Sequence, residues 1–185
     1  MQTFFKIFLI LILSFLTSPN NFPESKDPVR GKHGMVVSAS ELASQVGIEI
    51  LKKGGNAIDA AVAVGFALAV TYPSAGNIGG GGFMVIHLND GTNTTIDYRE
   101  RAPNSSNEFI FQDSLGNYLP EKSQYGVTSS GVPGSVAGLI YALEKYGTLS
   151  LKEVIQPAID LAGNGFILDY RLAKSFEYEL ENFNK

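Results

Sequence analysis

The sequence predicts a mixed α+β fold on three observations. Serine-led caps precede apolar residues at three-and-four spacing, a hairpin signal separates two runs of β-forming residues, and glycines punctuate both kinds of segment. At 185 residues, 44% hydrophobic and 17% charged, the chain is suited to a single folded core. Its net charge of −4, with no long run of either sign, offers no footprint for nucleic acid, which is excluded as a partner. Cysteine is absent, so disulfides, thiolate nucleophiles and Cys-based metal sites are excluded as well. His33 and His87 stand far apart and match no ligand spacing, so no metal or other cofactor is expected.

Residues 1–28 read as a signal peptide and leader. Lys6 precedes the apolar run Ile7 to Leu16, and the polar, proline-containing stretch Thr17 to Pro28 comes next. That run is too short to cross roughly 30 Å of hydrocarbon comfortably, but it has the length of a secretory h-region. An uncleaved anchor is the alternative, and a lipoprotein anchor is excluded because no Cys comes after the run. Export to the periplasm or the extracellular space is therefore expected, with residues 29–185 as the mature chain.

The mature chain divides cleanly. Ser38-Ala39-Ser40-Glu41 has the form of a capping box, with Ser38 and Glu41 as its partners. A helix through Leu42, Val46, Ile50 and Leu51 is predicted to stop at Gly54-Gly55. The segment Asn56 to Val70 is apolar on nearly every side, which predicts a central packed helix, and Asp59 sits near its positive end. Pro73 ends it. After Gly79 to Gly82, the residues Phe83 to Leu88 and Thr94 to Arg99 flank Asn89-Asp90-Gly91 as the strands of a hairpin. The polar stretch Ala102 to Thr128 predicts a long surface excursion with a small hairpin. Helices are predicted at Pro133 to Tyr146 and, behind the capping box Ser150-Leu151-Lys152-Glu153, at Ser150 to Ala162, with a stop at Asn164-Gly165. A last helix, Asp169 to Phe183, has no cap or stop, from which a longer parent protein is expected.

Three constellations bear on chemistry. The glycines at 79 to 82 lead into a strand rather than a helix and match no phosphate-loop pattern. They serve close packing or ligand contact, with packing favoured. In Asp97-Tyr98-Arg99-Glu100-Arg101-Ala102-Pro103, an arginine at a strand end makes a good carboxylate clamp, because its planar fork donates two parallel hydrogen bonds. A surface pairing with Glu100 or Asp97 is the plainer alternative, and residue physics alone favours it. Gly131-Val132-Pro133-Gly134-Ser135-Val136-Ala137-Gly138 contains neither GxSxG nor SxxK. It places Ser135 near a helix start, with two glycines four apart that permit close helix approach. Asn93-Thr94-Thr95 and Asn104-Ser105-Ser106 are glycosylation sequons, relevant only in a host that glycosylates.

Taken together and in order, these segments, with Gly54-Gly55-Asn56-Ala57-Ile58-Asp59-Ala60-Ala61, Gly79-Gly80-Gly81-Gly82-Phe83-Met84, Glu144-Lys145-Tyr146-Gly147 and Gln156-Pro157-Ala158, resemble the γ-glutamyltransferase (γ-glutamyltranspeptidase) family. The resemblance runs from about Gly34 to the C-terminus. It implies an N-terminal-nucleophile (Ntn) hydrolase, a four-layer αββα sandwich incomplete in this chain, made as a precursor that cuts itself into two subunits. It further implies glutathione and other γ-glutamyl compounds as substrates, water, amino acids or peptides as acceptors, and the enzyme's own small subunit as partner. In such an enzyme the small subunit opens with a threonine whose hydroxyl attacks the γ-carbonyl, its α-amino group assisting, while backbone donors of a glycine pair stabilise the oxyanion.

Nothing like the family's Thr-Thr-His processing site occurs in the 185 residues, since Thr94-Thr95 lies inside a predicted strand and is succeeded by Ile96. No catalytic residue is therefore expected here. Arg99, in the Arg-Glu-x-Ala-Pro setting, matches the family's arginine for the α-carboxylate of the γ-glutamyl group, so the resemblance reverses the preference for a surface pairing. Arg101 takes no family role and is expected to be a surface charge. The chain is then expected to be one of two things. It is either the N-terminal part of a γ-glutamyltransferase large subunit, inactive alone, or a short exported binding protein that keeps the arginine without chemistry. The first is preferred, because an Ntn sandwich lacking its small-subunit strands leaves apolar surface uncovered.

Overall fold

The computed structural model describes residues 28–184. The expected signal segment lies outside these residues, apart from Pro28. The chain divides into two units, Met1–Lys32 and His33–Lys185, and all helices and strands among the described residues lie in the second.

Helix α1, Glu41–Lys52, opens two residues later than the predicted capping box places it. Ser40 is the N-cap, accepting from the Ala43 N–H at 3.4 Å, while the Ser38 hydroxyl donates to the Ser40 carbonyl at 2.8 Å and bonds the Ser44 hydroxyl. The predicted Ser38–Glu41 box is thus replaced by a local turn, because a serine lying outside the helix reaches nearer backbone first. Gly54, at φ +94, lies just past the helix end as expected.

Helix α2, Ala57–Thr71, is the centre of the fold and packs against three other helices. Small and β-branched residues cover it, and Val62, Ala63 and Ala67 are fully buried. Its start is an unanticipated capping box. Asn56 Oδ1 accepts from the Ile58 and Asp59 N–H groups at 2.8 and 3.0 Å, and Asp59 Oδ2 accepts from the Asn56 N–H at 2.7 Å.

Strands β1, Phe83–His87, and β2, Asn93–Asp97, form the predicted hairpin, antiparallel, with Val85 opposite Thr95. Period-two alternation turns Ile86 and Ile96 into the core against the helices, and leaves Phe83 and Val85 exposed on the outer face. The excursion contains a bridge between Gln112 and Tyr118, a short helix α3, Pro120–Gln124, and a 3₁₀ turn, Val127–Ser129.

Helix α4, Ser135–Tyr146, packs on α2 and β2, and α5, Leu151–Asn164, packs on α2 and α1. The Ser150–Glu153 capping box forms as predicted, and Gly165 at φ +73 closes the helix. The last helix, α6, Tyr170–Phe183, does have an N-cap: Asp169 Oδ1 accepts from the Leu172 N–H at 2.7 Å. Leu172 is its buried residue, and Tyr178, Leu180 and Phe183 are exposed.

The α2 and α4 ends are joined by one buried carboxylate. Asp59 is fully buried, its Oδ1 accepting from the Thr148 and Leu149 N–H groups at 2.9 and 3.1 Å and its Oδ2 from the Thr148 hydroxyl at 2.7 Å. The Asn56 amide also donates to the Tyr146 carbonyl at 2.7 Å.

Candidate carboxylate-binding groove

β2 ends at Asp97, and the backbone of residues 98–101 is held by glycine contacts rather than by a longer sheet. The Tyr98 N–H donates to the Gly82 carbonyl at 3.0 Å, which prolongs the hairpin pairing by one step. A Cβ at Gly81 would stand 2.6 Å from the Glu100 nitrogen and 2.7 Å from the Tyr98 carbonyl oxygen. A Cβ at Gly134 would overlap that same oxygen, and one at Gly138 would overlap the Tyr98 side chain. Residues without a Cβ are needed at these three positions, so Gly81 of the glycine run and the paired glycines Gly134 and Gly138 serve one purpose, close packing around Tyr98. The Gly80 carbonyl completes the junction by accepting from both the Gly134 and Ser135 N–H groups at 2.9 Å.

Arg101 then forms a two-way bridge with Val132: its N–H donates to the Val132 carbonyl at 3.2 Å, and the Val132 N–H donates back at 2.8 Å. The backbone on either side of Arg99 and Arg101 is therefore fixed, while both side chains remain solvent-exposed. The two arginines line one open groove of about 440 Å³, together with Asp97, Tyr98 and Tyr141 and an apolar wall that includes Val132, Pro133 and Ala137.

The electrostatics of this groove favour an anion. Among the described residues the ion pair is Lys174–Glu177, and neither Arg99 nor Arg101 is paired with a carboxylate, so the surface pairing with Glu100 or Asp97 does not form. Asp97 Oδ1 instead accepts the backbone N–H of Arg99 at 3.0 Å, an Asx-type turn that stiffens the approach to the arginine. Burial pushes the Tyr98 phenol above its ordinary pKa. Such a groove can hold carboxylates in bidentate geometry.

Among the described residues the groove brings no serine, threonine or histidine side chain to the arginines. Ser135 is buried as the first residue of α4, with its N–H on the Gly80 carbonyl. His87 lies at the turn end of the hairpin, its Nδ1 2.8 Å from Asn93 Oδ1, and Arg99 lies past the opposite end. Thr94 and Thr95 are in the middle of β2. No group of three or more His, Cys, Asp or Glu side chains suited to a metal ion occurs among the described residues. Sequence reasoning does not single out Tyr141 or Asp97 as groove residues. Tyr141 stands one helical turn after Ala137 and Gly138, a spacing from which its shared face is readable.

The comparisons with known proteins agree closely. A sequence profile of the family described as Gamma-glutamyltranspeptidase matches residues 43–185. The glutathione hydrolase proenzyme of Pseudomonas sp. (strain A14) is 52% identical over 168 residues, 91% of this chain and 29% of that protein. The glutathione hydrolase proenzyme of Escherichia coli (strain K12) is 56% identical over 146 residues, 79% of this chain and 25% of that protein. The crystal structure of Helicobacter pylori gamma-glutamyltranspeptidase matches with a TM-score of 0.80 at 49% identity, over 84% of this chain and 44% of that one. The chain thus spans less than a third of the length of these curated relatives. The likeness supports the expected Ntn-hydrolase fold.

Proposed function

The chain belongs to the gamma-glutamyltranspeptidase family, and we propose that it is the N-terminal part of the large subunit of a glutathione hydrolase, supplying the grip on the substrate while a threonine outside these 185 residues supplies the chemistry. In this reading the Arg99 guanidinium holds the α-carboxylate of the γ-glutamyl group. The threonine hydroxyl adds to the γ-carbonyl carbon as the α-amino group of the same residue takes its proton. The C–N bond then breaks, the proton passes to the leaving amine, and a γ-glutamyl ester remains. Water or the amine of an acceptor amino acid or peptide releases it and restores the threonine.

The observation that carries the reading is the exposed, unpaired guanidinium of Arg99 on a backbone locked by Asp97, Gly81 and the Arg101–Val132 bridge. Phe83 and Val85 on the outer face of the hairpin are 63% and 81% exposed, and the second sheet of a four-layer αββα sandwich, contributed in part by the small subunit, would cover them. The protein is exported and matures by cutting itself in two.

The test is to compare residues 29–185 with a protein extended to the length of the relatives. Expected is release of the chromogenic amine from γ-glutamyl anilide by the extended protein once two subunits have formed, and none above a boiled control by residues 29–185. A matured two-subunit protein without γ-glutamyl turnover overturns the assignment, and turnover by residues 29–185 overturns the external nucleophile.

A further inference from the structure

Arg101 stands two residues after Arg99 and lines the same groove. We propose that Arg101 determines specificity by forming a second carboxylate subsite, so that the enzyme prefers γ-glutamyl peptides with a free C-terminal carboxylate over γ-glutamyl amides that lack one. The proposal rests on the assignment of the chain to a glutathione hydrolase.

Four observations lead to it. Two guanidinium groups start from Cα atoms at most about 7 Å apart and line one groove, so a single ligand with two carboxylates can reach both. Neither has a carboxylate partner among the described residues, and Glu100, which lies between them in sequence, does not line the groove. The backbone of Arg101 is hydrogen-bonded in both directions to Val132, so its side chain starts from a fixed point and loses less freedom on binding than one on a loose loop. The Val132, Pro133 and Ala137 wall lowers the local dielectric on one side, which strengthens attraction to an anion.

The charges also match in kind. The groove presents two guanidinium groups and the Asp97 carboxylate, and a γ-glutamyl peptide presents two carboxylates and one ammonium. A γ-glutamyl anilide or a peptide amide offers one carboxylate fewer and leaves one arginine unmatched. Because the second carboxylate lies on the leaving part, beyond the scissile bond, its contact holds substrate and transition state alike, so the preference belongs mainly in KM.

The experiment uses the matured full-length enzyme with glutathione and glutathione C-terminal amide, two donors that differ in one carboxylate. Wild type is expected to prefer glutathione about tenfold in kcat/KM, the low end for hydrogen bonds to a charged group because the groove is open to solvent. Arg101→Ala should bring the two donors to within about twofold by raising KM for glutathione, and Arg101→Lys should keep part of the preference. Arg99→Lys should weaken both donors together and preserve their ratio. If Arg101→Ala fails to mature, Arg101→Gln replaces it, with the same expectation. An unchanged donor ratio in the Arg101 variants, or equal losses on both donors, overturns the subsite and leaves the glutathione hydrolase assignment standing. Absence of turnover on either donor by matured wild type overturns both.

Discussion

Thr148 gives both its backbone N–H and its hydroxyl to one carboxylate, that of Asp59, at 2.9 and 2.7 Å across 89 residues of sequence. Leu149 and Asn56 donate to the same group, so four donors depend on two oxygens.

Asp59→Ala leaves these donors without a partner in a buried place, and a loss of at least about 3 kcal/mol in unfolding free energy is expected by denaturant titration. Asp59→Asn should cost less, because its carbonyl oxygen still serves one pair of donors. A loss under about 1 kcal/mol in the alanine variant would show that water replaces the carboxylate.

The same site gives stability a pH dependence. Burial raises the Asp59 pKa, but the N–H of Leu149, the Thr148 hydroxyl and the N–H groups of Asn56 and Thr148 together outweigh it, so the pKa lies below its ordinary value. A carboxyl group whose pKa falls on folding adds stability above its unfolded value of about 3.9, and that stability is lost as pH falls through the folded value. Acid unfolding curves below about pH 4 should be shallower for Asp59→Asn than for wild type. Superimposable curves would assign the acid sensitivity to other groups.

Two helical glycines should respond oppositely to alanine. At Gly138 the added methyl overlaps the Tyr98 side chain, and roughly 1–3 kcal/mol of destabilisation is expected. At Gly163, within α5, nothing lies within 4 Å of the added methyl, and Gly163→Ala should stabilise by up to about 1 kcal/mol. Thermal denaturation of both variants checks the contrast, and stabilisation at Gly138 would contradict the packing of α4 on Tyr98.

Arg99→Lys retains the charge but loses the planar fork. In the matured enzyme kcat/KM for γ-glutamyl anilide is expected to fall about ten- to hundredfold, mainly through KM, because the α-carboxylate is remote from the scissile bond. Arg101→Ala should cost clearly less on that substrate. The reverse order of damage would move the clamp to Arg101.

Fusing residues 1–28 to a reporter should carry it across the membrane. Cell fractionation checks this, and reporter retained in the cytoplasm argues against an export signal.

Local patterns make most of the helices and the hairpin legible, since caps, breakers and the Asn89-Asp90-Gly91 turn act over a few residues. Two serines compete for the N-cap of α1; the Ser-x-x-Glu spacing selects Ser38, and only geometry places Ser40 on the first turn. From its position in the sequence Asp59 is a dipole partner and no more, since its attachment to Thr148 depends on tertiary packing that no local spacing encodes. Arg99 is identifiable by its motif, whereas its companionship with Tyr141 and Arg101 requires the fold to bring residues 97–101 against 132–141.

The Arg101–Val132 bridge also separates the excursion mechanically from the groove. Residues 102–131 leave and return at two residues bonded to each other, so they behave as a tether with tied ends. For such a tether each doubling of length costs only about 0.6 kcal/mol in closure entropy. Gly116, at φ +85 and with its neighbours Leu115 and Asn117 exposed, marks its tip. An affinity tag or fluorophore-bearing peptide spliced there lengthens the tether while the knot at its base holds, which makes this turn a handle for labelling the protein without displacing Arg99.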